Sequence, residues 1–395
     1  MVHRSVKSPI NEAHRTAPDA PSAIRLAAVG MCLVGVCYGL ARFAYGLFVP
    51  AFREDFDLGP TATGAVASGS YVAYCLAVVA ATVLTPRLGA RRVAVAAGTV
   101  ATAGTALVAL APTSAVLGAG VLLAGASTGV ASPPLAHAVA RTVRAARRDR
   151  TQAVVNAGTG LGVAVAGPVA LVAQDSWRAA WAVFALLAAA TTFWAARVVP
   201  PARDDGASLP SLLPRPLLPV GAGRLLLGAA VMGLASAAVW TFGLDLLVTE
   251  GGTGPTTARL AWVLLGALGV LGAAAGDLEA RLGPARAWTT TTVALAGATA
   301  VLALAPGTPA LTHPAAAVFG GSYIAMSGLL LLGGTRVYSD EPSAGVGIAF
   351  LVLALGQAAG SLALGALASG TGLRTAVLVA AGVGLIGALA PPRTS

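Results

Sequence analysis

The sequence predicts an all-α integral membrane protein: twelve transmembrane helices arranged as two parallel six-helix repeats. Three observations predict it: a composition unlike that of soluble chains, an even set of long apolar segments, and an internal repeat at half the chain length. Of 395 residues, 56% are hydrophobic and only 10% are charged, against roughly 25% charged in an ordinary soluble domain. A soluble chain of this size forms about two or three domains and needs far more polar surface. Disorder is excluded as well, because disordered chains are poor in apolar residues.

A bilayer core about 30 Å thick takes roughly 20 helical residues. Twelve segments qualify: 24–50, 61–85, 93–112, 114–140, 151–174, 177–199, 220–248, 257–278, 285–306, 311–333, 343–369 and 371–391. Proline, glycine or clustered charge separates them, as at Asp55–Pro60, Pro86–Arg92, Arg141–Arg150 and Pro200–Arg215. The first apolar run is too long for the core of a signal peptide. The expected division is a loose cytoplasmic tail (1–23), a first half (24–199), a polar cytoplasmic linker (200–219) and a second half (220–391).

The net charge of +10 raises nucleic acid as a partner, and the positions of the charges remove it. With the N-terminus in the cytoplasm, 20 of the 25 basic residues fall on the cytoplasmic side. Four (Arg53, Arg178, Arg259 and Arg374) fall outside, and Arg42 lies within a span. This distribution obeys the positive-inside rule. The expectation is a multi-pass protein of the cytoplasmic membrane with both termini inside, a lipid bilayer around it, no nucleic-acid partner and a monomeric state. Cys32, Cys37 and Cys75 all lie in apolar stretches and read as buried free thiols.

The repeat has an offset of 194 residues. Arg87-Leu88-Gly89 recurs as Arg281-Leu282-Gly283, Gly39-Leu40-Ala41 as Gly233-Leu234-Ala235, and Gly162 as Gly356. Gly125-Ala126-Ser127 matches Gly320-Gly321-Ser322 one residue further on. Six spans per half is an even number, so both halves enter the membrane in the same orientation, unlike inverted repeats.

Twelve spans in two halves, with a basic turn after span 2 repeated after span 8, resemble the major facilitator superfamily over about 25–391. Leu84, Arg87, Gly89, Arg91 and Arg92 match that family's signature turn, with Pro86 where the family has aspartate. Gly276, Leu278, Arg281 and Gly283 match it again, with Asp277 and Glu279 shifted. The resemblance implies a gate at these turns, carried here by Arg87, Gly89, Arg91, Asp277, Arg281 and Gly283. It also implies that spans 1, 4, 7 and 10 line a cavity while 3, 6, 9 and 12 face lipid. The latter four carry no ionisable residue, Asn or Gln in their interiors. Asn156 to Gly162, followed by Gly167-Pro168, is similar to the span-5 motif of antiporters and favours export. Gly39-Leu40-Ala41-Arg42-Phe43-Ala44-Tyr45 resembles a bacterial permease subgroup.

Arg42 is the sharpest site signal. It stands ~25 Å of helix beyond Arg25, and an arginine at mid-helix costs about 2.5–3.5 kcal/mol on insertion scales. Tyr38, Arg42 and Tyr45 stand at i, i+4 and i+7, one stripe of a helix. Two readings stand: a cavity cation that meets an anionic substrate or a carboxylate, or a structural arginine in a permanent pair. Asp245 on span 7 is the candidate partner, although the repeat places it nine residues outward of Ser236, the position equivalent to Arg42. An interfacial, solvated Asp245 is the other reading. Trp240, Tyr71, Tyr74, Asn156, Tyr323 and Gln357 are further candidate substrate contacts, each also readable as an interhelical hydrogen bond or packing. His137 is a proton-carrier candidate, although an interfacial histidine is the favoured reading. Gly158–Gly162, Gly356–Gly360 and Gly272–Gly276 read as sliding seams, since the resemblance implies that spans 5 and 8 and spans 2 and 11 meet between halves, or as static packing, and the two readings are compatible.

No cofactor, metal or catalytic constellation is implied. The expected function is secondary active transport of a small organic solute by alternating access, proton-coupled, with export favoured. The alternatives are an uptake permease for a small organic anion, or a receptor that transports nothing. The orientation is testable in a cysteine-free background: Asp57→Cys should react with an impermeant maleimide on intact cells, and Asp205→Cys only after permeabilisation. The reverse labelling pattern would overturn the topology.

Overall fold

The computed structural model describes residues 20–173, 176–201, 215–269, 272 and 274–388. The expected tail and linker lie largely outside these residues. The helices are α1 (Ala23–Phe56), α2 (Pro60–Leu88), α3 (Ala90–Ala109), α4 (Ser114–Thr142), α5 (Ala145–Val172) and α6 (Trp177–Val198). The second half continues with α7 (Ala222–Glu250) and α8, described in two pieces, Pro255–Gly269 and Ala275–Leu282. It closes with α9 (Pro284–Leu304), α10 (Pro309–Val337), α11 (Pro342–Thr371) and α12 (Leu373–Ala388). Among the described residues, ten helices are long and apolar enough to cross a membrane, and α12 is a shorter apolar helix. With α8 they take up the twelve expected segments in order.

Several helices run a turn or more beyond the expected bounds: α5 starts at Ala145, and α8 and α10 continue to Leu282 and Val337. Helix α1 does not end near Pro50 but continues to Phe56, where Asp57 turns left-handed (φ 50°). Proline inside a membrane helix is tolerated because neighbouring groups satisfy the freed carbonyl, and α4 and α5 carry Pro133, Pro134 and Pro168 in the same way. The repeated Arg-Leu-Gly triplet is a backbone device. Gly89 (φ 83°, ψ 151°) and Gly283 (φ 77°, ψ 160°) occupy a region essentially reserved for glycine. Their N–H groups close the preceding helices on Thr85 O at 2.9 Å and Glu279 O at 2.8 Å. Each turn therefore stops one helix and starts the next with no intervening loop.

Lipid tails are as apolar as leucine, so membrane helices associate through close packing of small residues. Gly39 of α1 lies against the backbone of Gly162 on α5, leaving no room for a β-carbon. One repeat later, Gly233 of α7 lies against Leu353, Gly356 and Gln357 of α11. The repeat thus relates contacts as well as residues. The small-residue pairs face helices of their own half. Gly158 and Gly162 face Met31 and Gly35 on α1, Gly356 and Gly360 face Ala230 and Leu234 on α7, and Gly272 faces Gly321 and Ala325 on α10. These pairs therefore do not line the contact between the halves. The expected helix pairs do meet between halves, through other residues: Gly64 of α2 against Ser361 and Gly365 of α11, and Gly266 of α8 against Val163 and Ala164 of α5. Gly46 of α1 touches the carbonyl of Trp240 on α7, so two residues one repeat apart meet where the halves adjoin.

Overfilling a packed seam costs about 1–3 kcal/mol, whereas an open helical glycine gives about 0.5–1 kcal/mol to alanine. Gly39→Ala and Gly162→Ala should each lower the melting temperature of the detergent-purified protein. Gly297→Ala, on a face with no atom near the added carbon, should leave it unchanged or raise it. Equal effects at all three positions would contradict the seam.

Candidate functional site

Arg42 lies in a nine-residue π-helical stretch of α1, Gly35–Phe43. There each N–H reaches back five residues instead of four, which widens the turn and shifts side chains off the α-helical register. The expected stripe therefore fans out over three directions. The Tyr38 hydroxyl meets Ser132 Oγ on α4 at 2.8 Å. The Tyr45 hydroxyl donates to the Thr63 carbonyl on α2 at 3.0 Å. Arg42 reaches across to α11, where a terminal guanidinium nitrogen donates to Gln357 Oε1 at 3.0 Å. Gln357 Nε2 then donates to the Tyr323 hydroxyl on α10 at 3.2 Å.

The arginine is only 8% exposed, and Gln357 is fully buried. Its guanidinium carbon lies 4.4 Å from the Tyr74 ring centre and 4.7 Å from that of Tyr71, within cation–π range. Phe43 stacks at 4.3 Å on Trp240, whose ring is 5.2 Å from Tyr323. Arg42 Nε and the Trp240 indole N–H are both buried without a hydrogen-bond partner. A cavity of about 10 Å³, about one water molecule, is lined by Arg42, Ser70, Tyr71, Trp240 and Thr241. The repeat-equivalent of Arg42, Ser236, is buried and bonds only to Gly233 O on its own helix, at 3.1 Å. The charge is a feature of one half alone. Tyr71, Tyr74 and Gln357 thus touch Arg42, with Tyr323 behind Gln357 and Trp240 on the same cavity, while Tyr38 turns to α4.

Asp245 corrects the expected pairing. It is fully buried, not solvated, and it ion-pairs with Arg53 of α1, not with Arg42. Depth explains the choice. Arg53 and Asp245 are 192 residues apart, nearly one repeat, so they lie at the same level where the first and seventh helices adjoin. Arg42 lies deeper and turns to α11 instead. One Asp245 oxygen, Oδ1, is left buried without a partner. Nearby, Thr61 Oγ1 on α2 meets Ser369 Oγ on α11 at 2.7 Å. Between the halves, the described hydrogen bonds thus run from the Asp57 end of the bundle past Arg42 to Cys75, whose Sγ donates to the Leu351 carbonyl on α11 at 3.9 Å.

A model of the Major Facilitator Superfamily matches residues 31–344. The chain belongs to the major facilitator superfamily. The protein is accordingly a multi-pass secondary transporter with a small-molecule substrate. Solved structures agree on the fold. A bacterial homologue of the human lysosomal transporter Spinster, solved in an inward-facing and unoccupied conformation, superimposes with a TM-score of 0.77 at 14% identity. That match covers 94% of this chain and 96% of the other. The nucleoside transporter NupG does so with a TM-score of 0.73 at 14% identity, covering 93% and 98%. No curated protein sequence matches the chain at a significant level.

The remaining expected residues of this facilitator lie apart from the Arg42 cluster. Asn156 is exposed and accepts a hydrogen bond from Gln152 of its own helix at 3.0 Å. Of the turn residues, Arg87, Asp277 and Arg281 are exposed, and Arg91 Nε donates to the Val199 carbonyl at 2.6 Å. The acid held in the second turn is Glu279, buried and ion-paired with Arg336 of α10; Asp277 makes no such contact among the described residues. Sequence reading missed Glu279 and Arg53. A signal for Arg53 existed, since its near-repeat spacing from Asp245 matches depth better than the spacing of Arg42 does.

Removing one partner of a buried pair costs about 3–5 kcal/mol because the other charge is stranded. With Arg53 one-quarter exposed, Arg53→Ala should fall at about 3 kcal/mol in unfolding measurements, and Asp245→Leu likewise. The double variant Arg53→Met/Asp245→Leu should recover most of the loss. Additive losses in the double variant would refute a direct pair.

Proposed function

We propose that this facilitator moves its solute by rocking its two halves around the Arg42 cluster, and that the conformation described is closed at the Asp57 end and open at the Arg87 end. The observation that carries this reading is the location of the cross-links. Arg53–Asp245, Thr61–Ser369 and Arg42–Gln357 tie the halves from the Asp57 end to mid-depth. At the other end Arg87, Asp277 and Arg281 stand exposed. By the charge rule the Arg87 end faces the cytoplasm, which makes this the inward-facing state of a monomer in the cytoplasmic membrane. The fold likeness to an inward-facing transporter supports that reading. Its candidate contacts are Arg42, Tyr38, Tyr71, Tyr74, Trp240, Tyr323 and Gln357. Tyr45 lines the same cavity, and Asp245 serves the closed end. Proton-coupled export is the proposed mode, on the likeness of 156–168 to antiporter spans.

A reversible lock tests the cycle. In a background lacking Cys32, Cys37 and Cys75, Thr61→Cys with Ser369→Cys should oxidise readily. The oxidised protein should carry less than about a tenth of the reduced protein's counterflow of a labelled metabolite panel in proteoliposomes. Full counterflow with the disulfide quantitatively formed would rule out opening at this end.

A further inference from the structure

We propose that the Arg42 site takes an organic monoanion, a carboxylate on a planar or apolar body, and that Gln357 holds the carboxylate's place in the conformation described. The proposal rests on the transport reading above and adds the substrate class.

The charge balance points to an anion. Among the described residues no carboxylate meets Arg42; the two fully or nearly buried acids, Asp245 and Glu279, are taken by Arg53 and Arg336. The protein therefore buries a permanent cation and neutralises it with nothing of opposite charge. It supplies two aromatic faces and a single amide oxygen. Guanidinium carries five N–H donors in a planar fork suited to two parallel bonds with a carboxylate. Only one of those donors has an acceptor here, and Nε is buried and empty-handed. An amide oxygen cannot fill two prongs of the fork, whereas a carboxylate can.

The second donor comes from the other half. The Trp240 indole N–H is also buried and unpartnered, on the residue that closes the cavity opposite Arg42. Two orphaned donors on one cavity, with no orphaned acceptor among its lining residues, select a ligand that accepts. The rings of Tyr71, Phe43 and Trp240 line the cavity and supply apolar contact to a ligand's body, which the cavity of about 10 Å³ admits once these rings move apart.

The same geometry couples occupancy to movement. In the conformation described, the Arg42–Gln357 bond ties α1 to α11 across the two halves, with Tyr323 held behind it. A carboxylate arriving at Nε and the terminal nitrogen displaces the Gln357 oxygen. The cross-half bond is then exchanged for bonds to the solute, so the midplane tie is released only when anion is present.

The test uses full-length protein in detergent, with benzoate and cyclohexanecarboxylate as probes and the matching amides as neutral controls. Thermal shift and tryptophan fluorescence are the readouts. Both carboxylates should stabilise the wild type and the amides should not. Arg42→Gln should lose the response. Gln357→Glu, which places a permanent carboxylate on Arg42, should weaken carboxylate binding at least tenfold while melting at or above the wild-type temperature. Gln357→Ala should bind as well as wild type or better. Equal responses to acids and amides, no response of the wild type to either carboxylate, or an Arg42→Gln variant that responds normally would each overturn the proposal. Disulfide formation between Thr61→Cys and Ser369→Cys keeps the two readings distinguishable. If neutral ligands change its rate, alternating access stands and the anion assignment falls.

Discussion

Each half is organised by a place where two helix backbones touch, Gly39 on Gly162 in the first and Gly233 on Gly356 in the second. Without water to drive helices together in lipid, such approach supplies the packing energy, and it fixes how far every neighbouring side chain must reach. In the first half the seam coincides with the π-helical stretch of α1. That coincidence aims Arg42 at α2 and α11 while sending Tyr38 to α4 and Tyr45 to the start of α2. In the second half the seam is α-helical, the π stretch of α7 lying further on at Leu246–Glu250, and the residue equivalent to Arg42 is a serine that bonds to its own helix. One architecture thus holds two unlike centres.

Buried charge divides the molecule into levels. Near the Asp57 end, Asp245 is held by Arg53 between the halves; toward the Arg87 end, Glu279 is held by Arg336 within the second half. Between them Arg42 has rings and an amide but no counter-ion among the described residues. Dropping a charge into a low-dielectric interior costs several kcal/mol even after relaxation. Removing either paired acid therefore strands its arginine partner. Arg42 is only partly compensated, which is the electrostatic condition for receiving a ligand.

Much of the fold was legible. The twelve apolar segments, the offset of 194 and the Arg-Leu-Gly turns all recur in the structure, because segment length and glycine-only backbone conformations are local properties. The cluster was legible in part: Arg42 stood out as a charge in the wrong solvent, and Tyr71, Tyr74, Trp240, Tyr323 and Gln357 were drawn from polar or aromatic residues on apolar helices. One reading failed for an identifiable reason: the sequence pairs Asp245 with the conspicuous arginine instead of the one at its own depth, Arg53. The partners of the glycine pairs were not legible, because sequence spacing shows which residues share a helix face and not which helix that face meets.

The sequence by itself determined the solvent, the number of crossings, the parallel repeat and the anomaly at Arg42, since each follows from composition or from spacing along one helix. Only the tertiary structure decided partners: Gln357 and two tyrosine rings for Arg42, Arg53 for Asp245, Arg336 for Glu279, α1 for Gly158 and Gly162. Partner choice depends on depth, on the widened turn at Gly35–Phe43 and on which backbones approach closest. Those are relations between helices, and no single helix encodes them.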